Sequence, residues 1–286
     1  MSLRLDRFAT LYLASPICRL AGNVDRAIPV LMYHSVADDV QSGRQGYYQT
    51  VVSPATFNLH MEYLHRSGFN TCTLSRAIAL LGTPQADLAG NVVITFDDGF
   101  LDFYANAFPV LHRLGFTATM YLPTAFIADS ATEFNGRDCL TWQNVREMQD
   151  SGMEFGSHTV SHPQLRLLER ADIERELTES KKVIEEKTGR AVESFAYPYA
   201  FPQVDTAFRD MLRGILENAG YRNGVCTIVG RASSSSDPFF VERLPVNELD
   251  DLQFLHAKLT GAYDWVGSLQ SIVKRARPLL GRRPAA

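Results

Sequence analysis

Short apolar segments alternate with longer amphipathic segments along this chain, from about residue 29 to residue 250. The short segments are rich in β-branched and aromatic residues, as strands are. They lie at 29–33, 70–74, 91–96, 117–122, 153–156, 194–197 and 223–227. Strands that alternate with helices form parallel sheets covered by those helices. Seven strands suit a barrel or an open doubly wound sheet, and the alternation by itself leaves both open.

The predicted helices have recognisable ends. Ser53 followed by Pro54 begins the first, and Thr141 begins the second. Two more are predicted over 171–188 and 204–219, and a glycine follows each of them. With 286 residues, of which 45% are hydrophobic, the chain is large enough for one α/β domain with a sizeable core.

Charge and cysteine content narrow the function classes. The chain has 28 Lys and Arg against 32 Asp and Glu, so its net charge of −4 argues against nucleic-acid binding. No stretch approaches 18 consecutive apolar residues, so no transmembrane helix is expected. The four cysteines are far apart and include no C-x-x-C pair, so we expect free thiols and neither a zinc ribbon nor a disulfide framework.

Residues 1–27 are expected to form an N-terminal extension. Asp6, Arg7 and Arg19 interrupt the apolar region that a signal peptide needs, so we expect a cytoplasmic protein, with the inner face of the membrane as the alternative. An amphipathic helix would place a set of apolar residues on one face. These are Leu3, Leu5, Phe8, Leu11, Tyr12 and Leu20.

Residues 266–286 are expected to form a basic C-terminal tail after a catalytic domain at 28–265. Five basic residues lie within ten positions, namely Lys274, Arg275, Arg277, Arg282 and Arg283. The simplest interpretation is a solvated chain end, and the alternative is contact with anionic lipid headgroups.

Chemically active residues follow several of the predicted strands, where α/β folds bind their ligands. Asp97 and Asp98 come directly after 91–96, and Gly99 frees the backbone behind them. Such a pair is a weak signal alone, because one aspartate often caps the next helix. The two carboxylates could instead have different functions in one site.

His158 and His162 follow the strand predicted at 153–156. Histidines four positions apart on a single helical turn can reach one cation. Two imidazoles and one carboxylate suit Zn²⁺, with Co²⁺ or Ni²⁺ as alternatives, and leave positions open for water and substrate. If one of the two aspartates binds the metal, its neighbour is free to take a proton from water.

Two further strand ends carry candidates. His34 follows 29–33 and is an acid or a ligand, unless it is a hydrogen-bonded structural histidine. Pro198 and Tyr199 follow 194–197, where the proline fixes a turn and backbone N–H groups beyond it could point into the site.

Taken in order, these residues resemble the polysaccharide deacetylase family, carbohydrate esterase family 4. Thr95–Gly99 matches its T-F-D-D-G motif and His158–His162 its H-[ST]-x-x-H motif. Phe195–Tyr199 is similar to the third motif, F-A-Y-P-Y-G. Val30–His34 resembles the M-Y-H opening of the branch that acts on bacterial exopolysaccharides. The resemblance covers about residues 28–250.

The resemblance implies a distorted (β/α) barrel of about seven parallel strands in a single domain. It implies a metal held by Asp98, His158 and His162, and Asp97 as the general base. Tyr199 would offer its backbone N–H to the oxyanion, and His34 would be the general acid. The implied reaction is hydrolysis of N-acetyl groups on amino sugars of a glycan.

The sequence departs from the family pattern in three places. Ala200 stands where the third motif has glycine. That motif also lacks the arginine that orients the base in many relatives, and Arg243 is the expected substitute. The late leucine–histidine motif is not clear, so His256 is an alternative general acid, although its surroundings read as an amphipathic helix.

Several alternatives remain open at this point. An O-deacetylase or a deformylase would have the same metal site, and a carbohydrate-binding barrel without activity would keep the same fold. A glycosidase would need two separated carboxylates and no histidine pair. Phe100, Trp142 and Tyr197 are candidates for stacking on sugar rings, although core packing is the simpler interpretation of each aromatic residue. The oligomeric state cannot be deduced from the sequence.

Overall fold

The computed structural model describes residues 4–21, 26–39 and 50–276. Within these residues, seven parallel strands close into a barrel. They are β1 (Val30–Tyr33), β2 (Asn91–Phe96), β3 (Thr119–Leu122), β4 (Glu154–Ser157), β5 (Ser194–Ala196), β6 (Asn223–Val229) and β7 (Val241–Pro245). Each strand pairs with the next in the chain, and β7 pairs with β1. The fold is therefore the predicted distorted (β/α) barrel and not an open sheet.

Helices cover the outside of the barrel. They are α1 (Leu5–Ala9), α2 (Ser15–Ala21), α3 (Pro54–Arg66), α4 (Leu74–Leu81), α5 (Phe108–Arg113), α6 (Trp142–Asp150), α7 (Arg170–Thr188), α8 (Thr206–Asn218), α9 (Leu252–Leu259) and α10 (Trp265–Ala276). A π-helical turn, Thr10–Ala14, joins α1 to α2, and a second one, Phe103–Ala107, precedes α5. The side chains of Ser53 and Thr141 cap α3 and α6 as predicted, because each accepts a hydrogen bond from a backbone N–H of the first turn.

One of the seven predicted strands is wrong. Of 70–74 only Asn70–Thr71 is extended, and it pairs with the start of β2 outside the ring. Thr73 caps α4, whose buried Leu74, Ala77 and Leu81 pack against the apolar interior of the barrel. The seventh barrel strand is β7, which the apolar pattern misses because Glu242 and Arg243 interrupt it.

Short strand pairs complete the ends of the barrel. Ala27–Ile28 pairs with Ala232–Ser233, and Ser35–Val36 with Val51–Val52. Glu133–Phe134 and Arg137–Asp138 form a β-hairpin with positive φ at both turn residues. The four cysteines are free thiols, as expected.

The described parts of both terminal segments are helical. The predicted N-terminal helix is present, but only Leu11 of its predicted apolar face is buried, and Leu5, Phe8 and Tyr12 are exposed. Leu3 and the side chain of Leu20 lie outside the described residues. At the other end, α10 crosses the boundary expected at residue 265, and Lys274 donates a hydrogen bond to the carbonyl of Phe201.

The remaining basic residues of the predicted tail, Arg277, Arg282 and Arg283, lie outside the described residues. Among the helices that are described, none combines the length and the apolar character needed to span a bilayer.

Candidate metal and catalytic site

A cleft of about 600 Å³ opens where the barrel strands end in loops. Its lining is polar and comes from the ends of β1, β2, β4, β5 and β6, together with the β-hairpin. The lining residues are His34, Thr50, Asp97, Asp98, Phe100, Asn135, Arg137, His158, His162, Tyr197, Tyr199 and Thr227. Eight of the residues singled out from the sequence therefore meet in one place.

Asp98, His158 and His162 face one another in this cleft. The Asp98 Oδ1 atom lies 3.5 Å from His158 Nε2 and 3.4 Å from His162 Nε2. One potential ligand atom from each residue lies within 4.8 Å of the others. Asp98 Oδ1 is buried and has no hydrogen-bond partner among the described residues, which is costly unless a cation completes its surroundings. This donor set fits a divalent cation such as zinc.

The two imidazoles are held in different ways. His158 donates from Nδ1 to the carbonyl of Ala196 over 2.8 Å, which leaves Nε2 free to bind a cation. The His162 ring packs between Phe134 and Tyr199, with centroid distances of 5.2 and 4.7 Å. Burial, aided by the neighbouring His158, lowers the pKa of His162 to about 4. A neutral imidazole, the form that binds metals, is therefore favoured at neutral pH.

The segment that carries both histidines is not the helical turn expected from their spacing. Thr159 and His162 both have positive φ, at 71° and 55°. The Thr159 hydroxyl accepts a hydrogen bond from the backbone N–H of His162 over 3.0 Å. An irregular loop thus brings the two rings together, with centroids 4.7 Å apart. The prediction of a helical turn was wrong because local side-chain hydrogen bonds replace helical ones here.

Glu176 holds this loop and was missed in the sequence. It lies on α7, and one carboxylate oxygen accepts the backbone N–H groups of Val160 and Ser161, each over 2.8 Å. The other oxygen accepts the Ser161 hydroxyl over 2.7 Å. The available signal was its position on the apolar stripe of the predicted helix, between Ile173 and Ser180, where a glutamate is unexpected.

Asp97 pairs with Arg243 of β7. Two parallel hydrogen bonds of 2.7 and 2.8 Å join the guanidinium group to the carboxylate, and both groups are buried. Burial opposes the charged form of Asp97, but the charge of Arg243 outweighs it and lowers the pKa of this carboxyl group well below its usual range. His34 lies on the cleft side, with Nε2 3.9 Å from Asp97 Oδ2.

Tyr199 borders the cleft after β5. Its φ is 58°, and its carbonyl accepts a hydrogen bond from the Thr227 hydroxyl over 3.0 Å. The left-handed residue of this loop is therefore Tyr199 itself. Ala200 has no positive φ and is exposed, so an alanine in place of the family glycine causes no backbone strain.

Two residues singled out from the sequence lie away from the cleft. Trp142 is only 2% exposed and begins α6 within the core, so it has no free face for a sugar. His256 is exposed on α9, hydrogen-bonds the Tyr63 hydroxyl and does not line the cleft, so its position does not support it as an alternative acid. Phe100 and Tyr197 line the cleft but are almost fully buried. Neither ring exposes a face on which a sugar could stack.

The β-hairpin contributes lining residues that the sequence analysis did not consider. Asn135 and Gly136 form its turn, an Asn-Gly signal that predicts hairpins. Arg137 follows the turn, contacts Asp39 over 2.6 Å and stacks over the Phe100 ring. The hairpin thereby closes the cleft on the side of His162.

Comparisons with known proteins agree with this geometry. The family model described as polysaccharide deacetylase matches residues 86–224. The Bacillus subtilis (strain 168) protein YxkH, classed by its name with polysaccharide deacetylases, is 29% identical over 77% of this chain and 71% of its own length.

A named enzyme and a solved structure add to this. Poly-β-1,6-N-acetyl-D-glucosamine N-deacetylase of Staphylococcus aureus (strain N315) is 23% identical over 55% of each chain, so the chain matches about half of that protein's length. The structure of the Streptococcus pyogenes deacetylase PplD in complex with acetate superposes with a TM-score of 0.70 and 25% identity. That match covers 82% of this chain and 98% of PplD.

Proposed function

Because this chain contains a polysaccharide deacetylase domain, we propose that it is a metal-dependent hydrolase that removes N-acetyl groups from amino sugars of a bacterial polysaccharide or its precursor. One observation carries the proposal. A carboxylate paired with a buried arginine, Asp97 with Arg243, lies directly beside a separate aspartate–histidine–histidine set in the same cleft. Hydrolysis of an amide needs both a base and a means to polarise the carbonyl group.

Asp98, His158 and His162 would hold the cation, which we propose to be zinc. A cation bound there would supply Lewis-acid polarisation of the substrate carbonyl and a lowered pKa for a water molecule. The buried surroundings of Asp98 Oδ1 strengthen such an interaction, because little water is present to screen it.

The protein's own residues would carry the protons. Asp97 would accept the proton of the attacking water, and Arg243 keeps this carboxylate ionised and oriented. His34, on the open side of the cleft, would donate a proton to the leaving amine. Acetate and a free amino sugar would be the products.

The backbone N–H of Tyr199 would donate to the oxyanion of the tetrahedral intermediate. One such donor contributes about 3–4 kcal/mol to the stability of a transition state. The hydrogen bond from Thr227 holds the carbonyl of Tyr199 in the next peptide group, and together with the left-handed φ of Tyr199 it supports a defined direction for the N–H group of this residue.

Acetate release from a panel of glycans tests the proposal. The panel contains acetylated β-1,6-linked glucosamine oligomers, chitin oligomers and peptidoglycan, with O-acetylated and N-formylated sugars to test the two alternative activities. We expect release from N-acetylated chains, loss of activity after chelation and recovery with Zn²⁺.

Two variants separate the roles of the adjacent aspartates. Asp97→Asn should still bind one metal ion per chain but lose activity by about 10²–10⁴-fold, the usual contribution of general base catalysis. Asp98→Asn should lose the metal. Acetate release that survives chelation, or metal loss in Asp97→Asn with retention in Asp98→Asn, would contradict the assignment.

A further inference from the structure

A carboxylate outside the metal set, Asp102, lies directly behind the segment that carries His34. It comes five residues after Asp97, and its side chain is only 14% exposed. Asp102 is not among the described residues that line the cleft, and none of the catalytic steps above uses it. A carboxylate is costly to bury unless hydrogen bonds or opposite charges compensate for the lost water, so the contacts of Asp102 indicate its role.

The Asp102 carboxylate binds the two residues that follow His34. Its Oδ2 atom accepts a hydrogen bond from the Ser35 hydroxyl over 2.5 Å, and its Oδ1 atom accepts the backbone N–H of Val36 over 3.1 Å. The neighbouring Asn106 donates from Nδ2 to the carbonyl of Val36 over 2.7 Å. Three hydrogen bonds from one short stretch of chain therefore fix the backbone just beyond His34.

The residue before His34 is fixed by the barrel. Tyr33 ends β1 and is fully buried, and its carbonyl accepts a hydrogen bond from the backbone N–H of Asp97 over 3.1 Å. In the part of the chain that the structure describes, no side chain hydrogen-bonds the His34 ring, whose Nε2 lies 3.9 Å from Asp97 Oδ2. The direction of this ring therefore depends on the backbone that is held on either side of it.

The same short segment carries the proposed base and anchors the proposed acid. Asp97 begins this segment and Asp102 ends it, and a hydrogen bond of 3.2 Å from the Phe103 N–H to the Phe100 carbonyl closes a tight turn within it. Arg137 of the β-hairpin reaches the same carboxylate, with Nη1 3.5 Å from Asp102 Oδ2. The separation of acid and base is thereby set locally, which matters because a displacement of about 1 Å can lower a catalysed rate about 10²-fold.

We propose that Asp102 is a positioning residue for the general acid, because it holds the chain beyond β1 so that the His34 imidazole faces the nitrogen of the leaving group. This role rests on the proposed function and adds one residue to the same site. In the step concerned, the carbon–nitrogen bond of the tetrahedral intermediate breaks, its electron pair stays on nitrogen, and protonated His34 gives that nitrogen a proton. An amine does not leave as an anion at neutral pH, so its departure needs an acid in the right place.

The nature of the leaving group separates this role from a general structural one. The phenolate of para-nitrophenyl acetate is a stable anion that leaves without a proton, whereas the amine of an N-acetylated sugar is not. Asp102→Ala should lower kcat for an N-acetylglucosamine oligomer by about 10–100-fold, with KM and metal content nearly unchanged. Its hydrolysis of para-nitrophenyl acetate should stay close to that of the unchanged protein.

A conservative variant and a matched control accompany this measurement. Asp102→Asn should recover much of the amide rate, because its amide oxygen can accept the Val36 N–H and its amino group can donate to the Ser35 hydroxyl. Asp237 is 13% exposed, accepts the backbone N–H of Phe239 over 3.0 Å and pairs with Arg213, but it precedes β7 at the opposite end of the barrel. Asp237→Ala should therefore leave the ratio of the two rates unchanged.

A double variant tests whether Asp102 acts through His34, and it needs only the amide substrate. In His34→Ala the acid is absent, so addition of Asp102→Ala should lower the rate no further. If Asp102→Ala does not fold, Ser35→Ala, which removes one of the hydrogen bonds, should show the same selective loss to a smaller extent.

Three results would overturn the positioning role. They are an equal loss on both substrates in Asp102→Ala, a normal amide rate in that variant, and a further loss in the double variant as large as in the single one. The deacetylase assignment fails on a different result, the absence of metal-dependent acetate release by the unchanged protein, so the two failures are distinguishable.

Discussion

Two adjacent carboxylates in this protein have opposite surroundings. Asp97 pairs with Arg243 of β7, two strands away in the barrel, whereas Asp98 faces two imidazoles and retains an oxygen without a partner among the described residues. The backbone makes this separation possible, because Asp98 has a φ of 75° and so turns its side chain away from the direction of Asp97. One dipeptide thus supplies both a candidate proton acceptor and a candidate metal ligand.

With Asp97 as the proposed general base, we expect the pH profile of kcat to depend on Arg243. Without the arginine, burial would dominate and raise the pKa of Asp97, so the base would become protonated at a higher pH. In Arg243→Gln we expect the acidic limb of the profile to move upwards by about 1–3 pH units, the usual effect of an arginine on a neighbouring aspartate. Steady-state acetate release from pH 3 to pH 9 would show it.

A second arginine of the cleft serves as control for this shift. Arg137 pairs with Asp39 and Asp102, not with Asp97. Arg137→Gln should therefore leave the acidic limb in place, whatever its effect on substrate binding. An unchanged limb in Arg243→Gln, with metal still bound, would mean that the arginine does not control ionisation of the base.

The sequence predicted eight of the residues that line the cleft, but not how each one is oriented. Asp97, His158 and Arg243 could be assigned because strand ends converge in a barrel and because the motifs resemble those of a family. The burial of Trp142 and the position of His256 on the outer face of α9 depend on packing between distant segments, which no local pattern encodes.

At the level of elements, the loop after β4 and the helix α7 form one unit. The Glu176 carboxylate of α7 accepts hydrogen bonds from two backbone N–H groups and one hydroxyl of the loop, which would otherwise lack partners. It thereby fixes a backbone with two left-handed residues. Such strained positions persist only when neighbouring contacts compensate for them. Glu176 is therefore a positioning residue for His158 and His162.

Removal of this carboxylate should weaken metal binding more than folding. We expect Glu176→Ala to lower the affinity for Zn²⁺ or Co²⁺ by about 10–100-fold, as is usual for residues that orient metal ligands. Isothermal titration calorimetry and the visible spectrum of the Co²⁺ form would measure it.

Two further variants on α7 complete the test. Glu176→Gln should recover much of the affinity, because its amide oxygen can still accept the two backbone N–H groups. Glu179 lies on the exposed side of the same helix, so Glu179→Ala should leave the metal affinity unchanged. Equal metal affinity in Glu176→Ala and Glu179→Ala would contradict the positioning role.

The elements that were not predicted from the sequence were missed for one reason. β7 and the irregular histidine loop are both defined by interactions with residues far away in the chain, the pairing of Leu244 with Leu31 in one case and Glu176 in the other. The first residues of α3 and α6 were predicted correctly, because each of these helix starts depends on a capping side chain that is local in sequence.

In the whole molecule, a buried polar cluster joins the N-terminal segment, α3 and α9 to the barrel. Asp250 accepts a hydrogen bond from Lys258 of α9 over 2.6 Å and contacts Arg4 over 3.2 Å. Its carbonyl lies 2.6 Å from His60 Nε2, and the other nitrogen of that ring contacts the Tyr33 hydroxyl of β1. The N-terminal helix is thus tied to the same residue as α3 and α9.

The contributions of Asp250 and Lys258 to the free energy of unfolding should depend on each other, because the two side chains form a buried ion pair. Both side chains are fully buried, so Asp250→Asn leaves the Lys258 ammonium group without its counter-charge, at a cost of about 3–5 kcal/mol in the free energy of unfolding. The double variant with Lys258→Met should lose clearly less than the sum of the single variants. Urea denaturation measures all three.

The exposed pair Lys187–Asp129 serves as the control, with the same set of two single variants and one double variant. Its substitutions should change the free energy of unfolding by at most about 1 kcal/mol, because solvent screens the charges. Additive losses at Asp250 and Lys258 would show that the cluster is not electrostatically coupled.

Closure of the barrel by its first and last strands has a consequence for the timing of activity during synthesis. The three candidate metal ligands follow β2 and β4, and they have been translated long before Arg243 emerges from the ribosome on β7. In a chain that ends before β7, Asp97 would therefore lack its guanidinium partner. With Asp97 as the proposed base, turnover would begin only when the last strand has closed the ring.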